Sequence, residues 1–225
     1  MAAFDAFRRR LVLRAAAGGA LLPLALGRAL AAGERPHAQG LHRVEGEVRV
    51  NGRGATAGQL VRPGDAIETG PGALAVFVVG RDAFLLRAAS RLEISGREAL
   101  VDTLRIATGR LLSVLGPGAR RIETPTATIG IRGTGIYVEA EAERTYVCTC
   151  YGTADLQARD DPAVRETVTT RHHEQPRYIY GGRLQSAAAM MGRAPVINHT
   201  DAELIMLEAL VGRKPPFVDS GLSTY

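Results

Sequence analysis

Five side chains carry the soft-ligand chemistry of this sequence: Cys148, Cys150, His172, His173 and His199. The two cysteines are the only ones in the chain, and they stand one residue apart in a segment, TYVCTCYGTADL, that reads as a strand. Side chains two residues apart on a strand share a face, so Tyr146, Cys148 and Cys150 are expected on one side and Val147, Thr149 and Tyr151 on the other. Extended geometry separates the two cysteine Cα atoms by roughly 6.5–7 Å, at ~3.3 Å per residue. A disulfide prefers about 5.5 Å, so a Cys148–Cys150 bridge requires a bulge or strain and would be easily reduced. Three readings follow. Both thiols are buried as small apolar groups in a core face; or they form a strained redox disulfide; or they are two thiolate ligands completed by His172, His173 or His199. Two sulfurs with one or two imidazoles suit tetrahedral zinc or copper, with iron a third candidate. Adjacent histidines are expected to point to opposite sides, so at most one of His172 and His173 joins the thiols. Asn198 or Thr200 is placed to orient His199 from outside.

A catalytic reading can also be drawn, with Cys150 as nucleophile, His172 or His173 as base and Asp201 as the orienting group. No local signature supports it. The sequence has no phosphate-binding glycine loop, no H-E-x-x-H and no G-x-S-x-G. The expectation is a protein without catalytic residues.

The redox setting of these thiols depends on where the chain works. Arg8, Arg9 and Arg10 precede an Ala/Gly/Leu stretch that ends in Ala29-Leu30-Ala31-Ala32. This is the layout of an export signal over residues 1–31: charged region, apolar region, small-residue cleavage site. The uncharged run from Ala15 to Gly27 is shorter than the roughly 20 residues of a membrane span. Arg9-Arg10-Leu11-Val12-Leu13-Arg14 has the form of a twin-arginine signal, with an ordinary secretory signal or an amphipathic helix as the alternatives. No cysteine follows to carry a lipid anchor. The expected location is therefore periplasmic or secreted, with no transmembrane span in the mature protein. The signal also accounts for the charge. Residues 1–31 hold five arginines against Asp5, a net of +4 out of the chain's +5. What remains is a nearly neutral surface with no tryptophan for stacking, which argues against a nucleic-acid partner.

The elements that must position the five residues read as short strands and glycine turns from His42 to about Leu156. Val48 and Val50 share a face, and Asn51-Gly52 forms a hairpin turn. Leu60 to Arg62 reads as a strand closed by Pro63-Gly64, and Ile67-Glu68-Thr69 as another. Ala73 to Val79 is nearly all apolar and reads as a strand buried on both faces. Phe84–Arg87, Leu92–Ile94, Leu104–Ile106 and Arg110–Leu115 continue the series. Turn signals at this spacing indicate an all-β sandwich, barrel or solenoid-like stack.

Several ordered motifs carry a resemblance. Ile122 to Val138, IETPTATIGIRGTGIYV, is similar to the "TP-x-A-x-x-G-(V/I)-RGT-x-(F/Y)-x-V" signature of FecR domains. Val44-Glu45-Gly46-Glu47-Val48 resembles that family's opening strand. Val61 to Gly70 resembles its "GD-x-(I/L)-x-T-G" turn, and Ser90-Arg91-Leu92-Glu93-Ile94 its "S-x-(L/V)-x-(I/V)" strand. The resemblance covers residues 41–158. It implies a mainly β fold, a twisted sandwich or solenoid-like domain, working in the periplasm. In the best known members a cytoplasmic anti-sigma segment and a membrane span precede the domain; here an export signal stands in their place. The implied role is a non-catalytic binding or sensing module of the cell envelope, with an envelope protein or a glycan as partner. The motifs have physical readings too. The Asp65 side chain is expected to bond the amides that follow it. Gly130, Gly133 and Gly135 permit close backbone approach. Arg132 is expected to reach carbonyls of a neighbouring turn, with an anion or ligand contact as the alternative.

Residues 159–225 read as a C-terminal extension. Glu166 to Thr170 suggests one more strand. A helix over about 200–211 opens on Thr200 as N-cap, with Glu203 completing a capping box, and closes at Gly212. Its apolar stripe, Leu204, Leu207 and Val211, is expected to pack over an open edge or end of the β-domain, with a partner-binding helix as the alternative. The alternative function, a metal-binding or thiol-redox protein, uses Cys148 and Cys150 with the histidines of this extension.

Overall fold

The computed structural model describes residues 39–182 and 186–219; the export-signal segment lies outside the described residues. The chain is mainly β, with a small C-terminal helix. Its first strands are β1 (Gly40–Glu45), β2 (Val48–Val50), β3 (Arg53–Gly54), β4 (Ala66–Thr69), β5 (Leu74–Val79), β6 (Asp82–Leu86) and β7 (Ser90–Arg97). Then come β8 (Leu100–Val114), β9 (Ala119–Glu123), β10 (Ala127–Ala140), β11 (Arg144–Ala158), β12 (Arg165–Thr170) and β13 (Arg177–Tyr180). Helix α1 (Ala187–Met190), β14 (Met191–Arg193) and helix α2 (Asp201–Leu210) complete the order.

All the strands belong to one sheet, and its shape follows from three long strands that change partners midway. The first half of β8 pairs with β7 and, in parallel, with β9; its second half pairs with β6 and β10. The strand β10 pairs with β9 up to Arg132 and with β8 from Gly135 onward. The strand β11 takes β13 beside Arg144–Val147 and β12 beside Gly152–Gln157. The change in β10 falls on Arg132-Gly133-Thr134-Gly135, where the register with β11 shifts. Gly133 sits at φ 59°, a left-handed conformation open to glycine at little cost. A Cβ on Gly135 would run into the Tyr151 ring. The glycines therefore make a bulge that lets one strand serve two neighbours.

Some expectations change. Leu60 to Arg62 is not a strand; the segment is tied by Leu41 N–H donating to the Gln59 carbonyl and Gly58 N–H to the Leu41 carbonyl. Asp65 reaches backward rather than forward, accepting from Arg62 N–H at 2.8 Å and from the Asn51 amide at 2.7 Å. Arg132 is exposed, and among the described residues its guanidinium bonds no neighbouring carbonyl.

Two apolar clusters flank the sheet. The larger joins Ile67, Leu92, Leu104, Ile106, Ile129, Val138, Val147 and Leu156 in the main core. The second lies on the other side, where Val76, Val78, Leu85, Leu112, Val114, Tyr137, Tyr146 and the two cysteines meet Leu204, Leu207 and Phe217. Helix α2 thus covers a face of β6, β8, β10 and β11 rather than an edge or end. The reason is the double-sided burial of β5 and β6, whose outward side chains are apolar as well. Burying Leu204 and Leu207 contributes roughly 1.5–3 kcal/mol each. The capping box at Thr200 and Glu203 is present, and the chain leaves the helix through Gly212 at φ 69°. Among the described residues, no helix is long and apolar enough to cross a membrane.

Candidate metal centre

The CTC segment lies in the middle of β11, hydrogen-bonded to β10, with Cys148 beside Tyr137. Tyr146, Cys148 and Cys150 share the face beneath α2, and Val147 faces the main core. Tyr151 joins the cysteine face instead of the opposite one, because Cys150 is an extra residue of β11 between the partners of Gly135 and Ile136 and resets the alternation there. Both cysteines are free thiols and fully buried.

Two left-handed residues bring the histidines to them. His173, just after β12, sits at φ 56° and Asn198, just before α2, at φ 57°. The turn at His173 defeats the alternation expected of adjacent histidines, so His172 and His173 both point inward and both are buried. The His173 backbone N–H donates to the Cys150 carbonyl at 3.0 Å, which fixes the turn against the cysteine strand. Cys148 Sγ lies 3.4 Å from His173 Nδ1, and His199 Nε2 lies 3.0 Å from the same nitrogen. One ligand atom from each of Cys148, Cys150, His173 and His199 falls within 4.8 Å of all the others. Four of the five residues singled out in the sequence therefore converge. The fifth, His172, stands beside them and meets the cluster through a carboxylate.

That carboxylate is Asp201, the first residue of α2 and 1 % exposed. Its Oδ1 is 2.9 Å from His173 Nε2, and its two oxygens are 3.0 and 2.9 Å from His172 Nε2. In its neutral form, with Nε2–H donated to Asp201, His173 turns an Nδ1 lone pair to the sulfurs. His199 is held the same way from its far side, with Nδ1 2.6 Å from the Ile197 carbonyl and Nε2 turned inward. Ile197, rather than Asn198 or Thr200, is the outer partner of His199. Asn198 donates instead to Glu139 at 2.7 Å, and Thr200 caps the helix. The Tyr137 ring stacks on His199, with centroids 4.6 Å apart. Asp201, Tyr137 and the Ile197 carbonyl were not legible as site groups in a metal reading. Their only sequence signal is the place of Asp201 immediately inside a helix that begins two residues after His199.

Two of the six donor pairs approach tetrahedral spacing, with all six within 4.8 Å. Bonds of about 2.3 Å to sulfur and 2.0–2.1 Å to nitrogen would set donor–donor edges of roughly 3.3–3.8 Å. The 3.0 and 3.4 Å separations lie close to that range. The electrostatics set a thiolate beside a charge-favouring imidazole, whose Nδ1 proton an incoming ion would displace. Hydrogen bonding from Cys150, then from His173 and His199 against the cost of burial, pushes the Cys148 thiol well below its ordinary pKa. Burial first, and the neighbouring Cys148 second, push Cys150 well above. The His173 imidazole is held up: burial opposes its charge, but Cys148 and then Asp201 favour it. The pair takes one negative charge readily, and a second is favourable only beside a cation.

No family model and no curated protein matches the chain. Two crystal structures of a protein from Parabacteroides distasonis ATCC 8503, provisionally assigned as an anti-sigma factor, are similar at 11 and 13 % identity, each with a TM-score of 0.43. Each alignment covers 51 % of this chain and 54 % of the other, so the chain spans about half the length of those proteins.

Proposed function

We propose that this chain is an exported, non-catalytic β module that binds one transition-metal ion in a Cys148–Cys150–His173–His199 centre and serves as a sensing element of the cell envelope. The observation that carries the reading is the arrangement of the two imidazoles. Each is anchored through its outer nitrogen, His173 on Asp201 and His199 on the Ile197 carbonyl, so that both inner nitrogens face the two sulfurs. Outer partners of this kind fix ring orientation and raise ligand basicity at metal sites. Two sulfurs and two nitrogens in a buried, four-donor set favour zinc, with copper(I) and iron(II) the other ions of suitable softness. Four protein donors leave no open position for a substrate, the pattern of a structural rather than a catalytic site.

One competing arrangement has an observation of its own. Cys148 Sγ, His173 Nδ1 and Asp201 Oδ1 lie in the order of nucleophile, base and orienting carboxylate. Complete burial of Cys148 speaks against it, because a nucleophile must meet its substrate. The export layout of the first residues and the motifs similar to FecR domains support an envelope location and a sensing role.

The test is elemental analysis by mass spectrometry, with a free-thiol count, on untagged protein isolated from the exported compartment. About one equivalent of zinc, copper or iron per chain, lost in Cys148→Ser, is the expected result. Protein that stays metal-free even when offered zinc or copper(I) with its thiols reduced would overturn the reading and return the cysteines to the core.

A further inference from the structure

The four donors come from two parts of the molecule that differ in how firmly they are built. Cys148 and Cys150 stand in β11, laddered to β10 on one side and set between the stretches that pair with β13 and β12 on the other, with buried side chains on both faces. His199 belongs to the segment that leads into α2, one residue before its N-cap. Asp201 is the first residue of α2, and its carboxylate grips His173 and His172 together.

The helix depends on its docking contacts, which include Arg87 bonding the Asn198 carbonyl and Glu203 at 2.8 Å and the flanking Ile205, Met206 and Leu210. It is ten residues long, below the length at which an isolated helix persists in water. Of its four buried residues two are leucines and two are carboxylates, Asp201 and Glu208. Glu208 is matched by the Tyr151 hydroxyl and by Arg213 at 2.6 Å. Asp201 is matched by the histidines of the cluster. A helix docked by apolar contact alone would have no use for a buried acid at its first position.

We infer that the metal centre is the latch of α2: loading the four-donor site fastens residues 197–211 to the sheet, and emptying it releases them. The inference rests on the metal reading above and gives it an output. The ion draws His199 toward the cysteines, and Asp201 carries the same pull from His173 into the first turn of the helix. Metal occupancy is thereby converted into order or disorder of a helix that covers an apolar face.

The experiment is hydrogen–deuterium exchange on the full chain, thiols reduced, in two states: stripped by a strong chelator, and reloaded with zinc chloride, with zinc content measured on each sample. With zinc at 100 times its dissociation constant, the amides of Leu204 to Leu210 are expected to exchange about 100-fold more slowly than in the stripped protein. Exchange in β5 to β8 is expected to stay within about twofold. Asp201→Ala is expected to load zinc at saturation yet lose most of the zinc-dependent slowing. A purely structural role for Asp201 would instead speed exchange equally in both states and overturn its part in the latch. One equivalent of zinc with unchanged exchange in α2 overturns the latch and leaves the metal reading standing. No zinc bound at all overturns both.

Discussion

The two faces of β11 are equally dry and oppositely made. Toward the main core the strand presents Val147, Ala154 and Leu156 to a cluster drawn from nearly every strand. Toward α2 it presents Tyr146, Cys148 and Cys150 to histidines and a carboxylate, all under 10 % exposed. Burying apolar groups stabilises a fold without further conditions, whereas burying polar ones does so only when each is matched. The inner face therefore accounts for why the chain folds, and the outer face is where a matched polar cluster is buried. Every polar group there that faces the cysteines is held by a second group: His173 and His172 by Asp201, His199 by Ile197 and Tyr137.

Substitutions on the two faces should separate cleanly. Leu104→Ala in the main core is expected to cost about 2–5 kcal/mol of unfolding free energy, equally with and without metal, and to leave metal stoichiometry at one. Denaturant titration of both states measures it; a cost confined to the loaded state would erase the distinction between the faces. Cys148→Ser is expected to weaken zinc binding by more than about 100-fold, beyond the 10–100-fold range of outer partners, as read by competition with a chromophoric chelator. Asp201→Asn, which keeps size but loses charge, is expected to fall inside that 10–100-fold range. An effect as large as that of Cys148→Ser would make Asp201 a ligand instead of an orienting group. Thr200→Ala removes the cap and is expected to cost about 1 kcal/mol, seen as faster exchange in α2 and, by linkage, as roughly fivefold weaker zinc binding.

The smallest effect lies on neither face. Glu166 is held below its ordinary pKa of 4.5, first by its hydrogen bond from Arg177. A carboxylate depressed in the folded state stabilises fully above its unfolded value and loses that contribution as pH falls below 4.5 through the lower folded value. The Glu166 side chain is 37 % exposed, so solvent screening limits the effect to about 1 kcal/mol or less. Arg177→Gln should flatten the stability profile in that acid window, measured by thermal melts at stepped pH. An unchanged profile would mean the pair contributes nothing.

Much of the scaffold was legible because its signals are local. Asn51-Gly52 dictates a hairpin, Thr200 and Glu203 dictate a helix start, and the apolar run into Val79 dictates a strand covered on both sides. That last signal already required something to lie over the outer face, although the helix was expected at an edge. Leu60 to Arg62 reads as a strand because it opens on Leu60 and Val61, but the chain is tied only just before it, where Gly58 and Gln59 bond Leu41. The convergence of the cysteines with His173 and His199 was legible only as residue types. The left-handed backbone at His173, which turns two adjacent histidines the same way, is set by the bond from its N–H to Cys150 and has no local code. The face of Tyr151 differs from simple alternation for a similar reason, because Cys150 is an extra residue of β11 between the partners of Gly135 and Ile136.

The order of the donors along the chain has a consequence for biosynthesis. The two sulfurs emerge first, His173 follows, and His199 arrives last, 51 residues after Cys148 in the numbering. A chain broken off before His199 can offer three corners of the tetrahedron but never the fourth, and it also lacks the helix that closes over them. A filled centre would then certify that translation ran past the last donor and that both ends of the site had met.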